Sequence, residues 1–195
     1  MNINPPVQNR SMRSGRFIRE DNRFTNVAGK SGLKTEDELK SFIHEGQAFG
    51  IDADGTLLNA ASLLLLGITG DREVHFLAIE GDWSAGGVRY ELFEEPTTTA
   101  DGTPVTPYAL NRALVNAATL SVYSAPTVTD DGIKIAQKYI PSTGVGGNVQ
   151  AKFGGIAGGR VLKKNTKYLI KLTNESGDTV THGHYFVWGE ALYDV

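Results

Sequence analysis

Two short constellations hold residue types that could do chemistry. The first is Asp52-Ala53-Asp54-Gly55-Thr56. Its carboxylates suit an attacking aspartate with an acid/base aspartate two residues on. Asp130-Asp131 could add hard oxygen ligands for Mg²⁺. The second is His182-x-His184. Residues i and i+2 of a strand share a face, so the two imidazoles would stand side by side. With Gly177 before and Glu190 after, the pair has the outline of a metal-binding motif.

Each constellation needs a context. The Asp-x-Asp loop of haloacid dehalogenase-like phosphatases ends a buried parallel strand in an α/β sheet. Here only Phe49-Gly50-Ile51 precedes it, and alternating helices are missing. Asp-Gly is a strong hairpin signal, so a turn is expected at Asp54-Gly55. A calcium loop fails because Leu63 stands where a glutamate is required. His182 and His184 resemble the first metal motif of cupins, which are jelly rolls. Cupins need a further histidine from a later motif, and His44 or His75 would reach only with unusual geometry. Both histidines are therefore expected at a rim or subunit contact, without metal. The segment Gly144–Gly159 lacks Gly-Lys-Ser/Thr and is no phosphate loop. No serine sits in a nucleophile elbow. The expectation is a chain that is not an enzyme and needs no cofactor.

The elements that would position these residues are mostly strands. Val88–Phe93, Ile133–Ile140 and Lys167–Thr173 alternate apolar and polar residues, with Ile133, Ile135 and Tyr139 expected inward in the second. Glu73–Ile79, Ala118–Tyr123 and His182–Trp188 are apolar on both faces or nearly so. They suit central strands or strands covered by a partner subunit. Gly81-Asp82, Gly86-Gly87, Asp101-Gly102, Asp130–Gly132 and Asn174–Asp178 read as turns. Thr35 to Glu38 fits a capping box and predicts one short helix over 36–43. Tyr108–Ala118 stays ambiguous. Two long loops are expected: Glu95–Pro107, and Pro141–Arg160, whose seven glycines argue against a strand. The fold class that follows is all-β: a jelly-roll-like antiparallel sandwich with an extended N-terminal arm.

The chain has 195 residues, enough for one domain with an arm. It lacks cysteine, which excludes disulfides, zinc fingers and a thiol nucleophile. Its longest apolar run, near Leu63–Leu66, is far short of the ~20 residues of a membrane span. The N-terminus has Arg and Pro where a secretion signal needs an apolar stretch. The net charge of −3 is unevenly divided. Residues 1–30 hold six cations and two acids, or +4, and the other residues hold 13 cations and 20 acids, or −7. The expected organisation is a basic arm over 1–34 and a β-sandwich body over 35–195. Arg10, Arg13, Arg16, Arg19 and Arg23 are the candidate binding residues of that arm. These arginines could grip phosphate, though the acidic body argues against a dedicated nucleic-acid protein, and an acidic protein lattice is an equally good target.

One wider likeness runs along the chain. Ile43-His44-Glu45-Gly46, Val74-His75-Phe76, Leu92-Phe93-Glu94, the Asn111-Arg112 segment and the run from Leu162 to Trp188 follow in order. In that order the sequence resembles a family of tailed-bacteriophage virion structural proteins of the head-decoration or cement type. The likeness covers about 43–190; Ala113-Leu114 departs from the family's Asn-Ser, and the first 40 residues have no counterpart. It implies a place on the outer surface of a phage head. The implied partners are the major capsid protein lattice and further copies of the chain, as a dimer or trimer. No membrane or nucleic-acid contact is implied. A tail or head-fibre component with a glycan-binding face is the alternative, with Tyr90, Tyr123, Trp83 and Trp188 as stacking rings.

Overall fold

The computed structural model describes residues 34–114, 116–141, 149–152 and 160–191. Residues 39–195 form a compact unit. The helix α1 (Lys34–His44) brackets the expected 36–43. Then come β1 (Ala48–Leu57), β2 (Ser62–Ile68), β3 (Val74–Trp83) and β4 (Val88–Glu94). An excursion carries β5 (Thr97–Ala100), β6 (Thr103–Val105), β7 (Tyr108–Ala109), β8 (Ser121–Ser124) and β9 (Thr127–Asp130). The chain returns through β10 (Ile133–Ile140), β11 (Val149–Lys152), β12 (Arg160–Leu162), β13 (Lys167–Asn174) and β14 (Val180–Glu190). Among the described residues, no helix is long and apolar enough to cross a membrane.

The pairing is that of a rolled ribbon. β1 pairs β14, β2 pairs β13, β3 pairs β11 and β12, and β4 pairs β10, all antiparallel. β1 to β4 alternate between the two sheets, whose orders are β11-β3-β14-β1-β7, with β12 also on β3, and β10-β4-β13-β2-β8-β6. This is the expected jelly roll. Phe49, Ile51, Trp83, Tyr90, Leu92, Phe186 and Trp188 from the two inner faces form its core. A small internal void of about 40 Å³ remains among Ile51, Leu65, Phe76, Leu92 and Phe186. Its lining is apolar, which gives a water nothing to bond.

Several expectations are corrected. Asp54-Gly55 and Gly81-Asp82 lie inside β1 and β3, not in turns. Gly81 makes room for a ring, since a Cβ there would strike His184 at 2.2 Å, while Gly55 has a positive φ of 156°. Pro141–Arg160 does hold a strand, β11, on the free side of β3. In β10 the register slips between Lys134 and Ala136. The bulge turns Tyr139 outward, at 45% exposure, and Ile140 inward; Ile133, before the bulge at the start of the strand, is 59% exposed. Tyr108–Ala118, ambiguous in the sequence, has the short β7 and a turn bound by the Asn111 side chain among its described residues.

The expected loop Glu95–Pro107 is also built. Pro96-Thr97-Thr98-Thr99-Ala100-Asp101-Gly102 and Pro126-Thr127-Val128-Thr129-Asp130-Asp131-Gly132 share the pattern Pro-Thr-x-Thr-x-Asp-Gly. Their strands β5 and β9 pair antiparallel as a two-stranded ribbon. Glu95 and Ala125, before the two prolines, both have positive φ (58° and 52°). Each turn glycine packs on the backbone entering the other copy, Gly102 on Ser124 and Gly132 on Glu94. The ribbon is tied to the outer face of β13. Lys167 Nζ donates to Asp101 and Thr98, and Lys171 Nζ donates to Asp131. Leu169, between the two lysines on that face, is fully buried.

Candidate functional site

The strand alternation of β14 sends His182, His184 and Phe186 into the sandwich. The two imidazoles do stand side by side, centroids 5.0 Å apart and 24° from parallel. Trp83 lies over both, at 5.1 Å from His182 and 4.8 Å from His184. Tyr90 of the facing sheet meets His184 edge-on. The Tyr90 hydroxyl accepts a hydrogen bond from Trp83 Nε1 at 2.5 Å. Within this aromatic cage, His182 Nδ1 and both ring nitrogens of His184 lack a hydrogen-bond partner among the described residues. Burial therefore favours the neutral rings. It pulls the His184 pKa down to about 3, with His182 adding a smaller push. Burial lowers His182 as well, against a smaller opposing pull from Asp54.

The pair is not joined by a further ligand. His75 is on the outer side of β3, against Phe42 and Glu73. Glu190 is fully buried, and its carboxylate accepts from Thr119 N, Leu120 N, Thr119 Oγ1 and Trp188 Nε1. That bonding makes Glu190 a clamp between β14 and the segment before β8. Among the described residues, no group of three His, Cys, Asp or Glu converges. The rim reading of the histidines is thus corrected: both belong to the core.

The other constellation faces outward. Asp52 and Asp54 share the solvent face of β1, and Glu80 and Asp82 share that of β3. β14 lies between them, so the register forms two rows: Asp52–Tyr185–Glu80 and Asp54–Gly183–Asp82. All four carboxylate residues are exposed. Among the described residues, nothing lies within 4 Å of a Cβ placed on Gly183. Beside the rows, Tyr185 stacks with Tyr108 of β7, centroids 6.4 Å apart and 11° from parallel. Gly50 beneath has no room for a Cβ, which would lie 2.9 Å from Tyr185 and 3.3 Å from Tyr108. Tyr108 donates its hydroxyl proton to Asp52 Oδ2 at 2.9 Å. Burial, then that bond, hold the phenol well above its ordinary pKa. Among the described residues, Asp52, Asp54 and Asp82 make no salt bridge.

This placement separates the residues of the phosphatase pattern. β1 is antiparallel to both neighbours. Asp131 binds Lys171 on the opposite sheet. The glycan-stacking set is corrected too: Trp83, Tyr90 and Trp188 are buried at 1%, 2% and 1% exposure. The aromatic pair that does lie on a surface, Tyr108 with Tyr185, had a legible signal. Tyr185 alternates with His184 and Phe186, so it must point out when they point in. Arg10, Arg13, Arg16, Arg19 and Arg23 lie outside the described residues.

No family model matches the chain, and no curated protein matches it. Among solved structures, the infectious bursal disease virus VP2 subviral particle is similar at 13% identity and a TM-score of 0.15. The match covers 74% of this chain and 42% of that one. A structure of the Gt strain of that virus gives a TM-score of 0.18 at 13% identity, over 74% and 40%. The chain thus spans about two-fifths of the length of these viral chains, and the likeness is weak.

Proposed function

We propose that this chain is a non-enzymatic virion structural protein, a head decoration or cement protein of a tailed phage. It binds the outer surface of the capsid shell as a small homo-oligomer, with the arm as tether. One observation carries the binding role: the sandwich is one-sided. The outer face of the β4–β13 sheet is closed by its own ribbon and ion pairs. The outer face of the β14 sheet has exposed carboxylates and two half-buried tyrosines, which supports reading it as a contact surface. The ordered likeness to phage virion proteins supports the location. The arginine-rich arm supports a tether, and many copies on one lattice would add avidity.

Co-sedimentation with purified capsid shells tests this. The full chain should pellet with shells to saturation. The full-length variant with Arg10, Arg13, Arg16, Arg19 and Arg23 changed to Gln should stay in the supernatant. Saturating binding by that variant would remove the tether role. A wild-type chain that never pellets with shells would overturn the decoration reading.

A further inference from the structure

The exposed rows on the β14 sheet have a geometry that selects a ligand. Two strand spacings separate Asp54 from Asp82, and likewise Asp52 from Glu80, roughly 10 Å in each row. Tyr108 and Tyr185 offer ring surface beside them. Carboxylates next to aromatic faces suit guanidinium groups, which pair with the first and stack on the second. Arg10, Arg13, Arg16 and Arg19 recur every third residue. Their positive charge complements the negative charge of the face. Asp52, Asp54 and Asp82 make no salt bridge among the described residues, so they are the residues to test.

We propose that this acid–tyrosine face receives the Arg10–Arg19 segment of a second copy of the chain. Arm and face then form a head-to-tail contact between copies. Such a contact is heterologous and can propagate across a lattice. The inference stands without the virion reading, because the isolated chain is expected to self-associate.

Sedimentation velocity on the full chain tests it. Association should be evident at about 0.1 M salt and lost at about 1 M, where the screening length falls from ~10 Å to ~3 Å. Two full-length variants separate the halves: Asp52→Asn with Asp54→Asn and Asp82→Asn, and Arg10→Gln with Arg13→Gln, Arg16→Gln and Arg19→Gln. Each alone should be monomeric, with an unchanged circular dichroism spectrum. Mixed in equal amounts they should associate again, since one supplies the arm and the other the face. A monomeric mixture beside an associating wild type overturns the proposal, as would a monomeric wild type. Wild-type association by the aspartate variant does so too, and directs the arm to another target. As a second readout, a labelled peptide of residues 8–25 should bind the arm-less charge variant and lose at least about tenfold in affinity for the aspartate variant.

Discussion

The two outer faces of this sandwich are built from similar strands and finished in opposite ways. On the β4–β13 sheet, acids have bases within reach: Glu91 with Lys134, Asp131 with Lys171, Glu94 with Lys163 and Asp101 with Lys167. A ribbon made from a repeated sequence lies across it, and apolar residues on that side, Leu66, Phe93 and Leu169, are buried. On the β14 sheet, three aspartates face water without a salt bridge among the described residues, beside a tyrosine stack. The first face invests its charge in its own stability. The second leaves its aspartates without a salt bridge among the described residues, and like charges left together cost stability rather than add it. Substitutions on the first face should therefore read out in folding, and those on the second in association.

The largest effect is expected from Leu169→Ala. The side chain is fully enclosed beneath the ribbon side of β13. Its loss should cost about 2–5 kcal/mol, seen as a lowered urea midpoint with unchanged m-value. A cost below about 1 kcal/mol would mean that the ribbon does not seal this face.

Acid comes next, and acts between the faces. His184 is held neutral, with a folded pKa near 3 against an ordinary 6.5. The unfolded chain therefore binds a proton that the fold refuses. The contribution of His184 is whole above pH about 6.5 and is lost as pH falls toward the folded value. The loss should be on the order of 3 kcal/mol by pH about 4. The groups around it, His182, Trp83, Tyr90 and Phe186, include no acid to stabilise the added charge. Urea unfolding from pH 7 to 4 measures this slope. His184→Gln should flatten it, and an equal slope in the variant would assign the acid sensitivity elsewhere.

Much of this contrast was legible in the sequence, and the misses have common causes. Strict alternation in Val88–Phe93 and Lys167–Thr173, and a continuous apolar run in His182–Trp188, gave strands in their right roles, with β14 at the centre of its sheet. The Asp-Gly signal misled at residue 54 because a glycine has two uses. At Gly81 it admits an imidazole ring where a Cβ would clash, and at Gly55 it takes a positive φ within a strand, neither of which local composition distinguishes from a turn. The threonine-rich segment looked structureless because each strand of the ribbon is only four residues long. Its signal was a repeat, Pro-Thr-x-Thr-x-Asp-Gly, whose halves are 30 positions apart and stabilise each other only once paired. The acid–tyrosine face was hidden for a similar reason. Its members come from β1, β3, β7 and β14, and only the roll topology brings them together.

A smaller effect sharpens the boundary of the finished face. Lys171→Met removes the tie to the Asp131 turn while keeping the aliphatic stem over Leu169. Partly exposed ion pairs contribute little, so global stability should fall by less than about 1 kcal/mol. Local opening should rise instead. Amide hydrogen exchange in β5 and β9 should quicken while β3 and β14 keep their protection. Uniform quickening would show that the ribbon and the sandwich unfold as one unit.

The smallest expected effect on folding is also the one that separates the faces. Asp52→Asn, Asp54→Asn and Asp82→Asn together remove three exposed charges from a body that is already negative. No salt bridge is lost with them among the described residues, and the repulsion between the rows is relieved. The thermal midpoint should hold or rise slightly at low salt, and this gain should vanish at high salt, since screening acts on exposed charge. A clear loss of stability would mean that the carboxylates are structural, as Glu190 is, and the distinction between a finished face and a binding face would collapse. A stable variant that has lost association would instead assign these aspartates to contact between molecules, because a charge that does not help its own fold is kept for another surface.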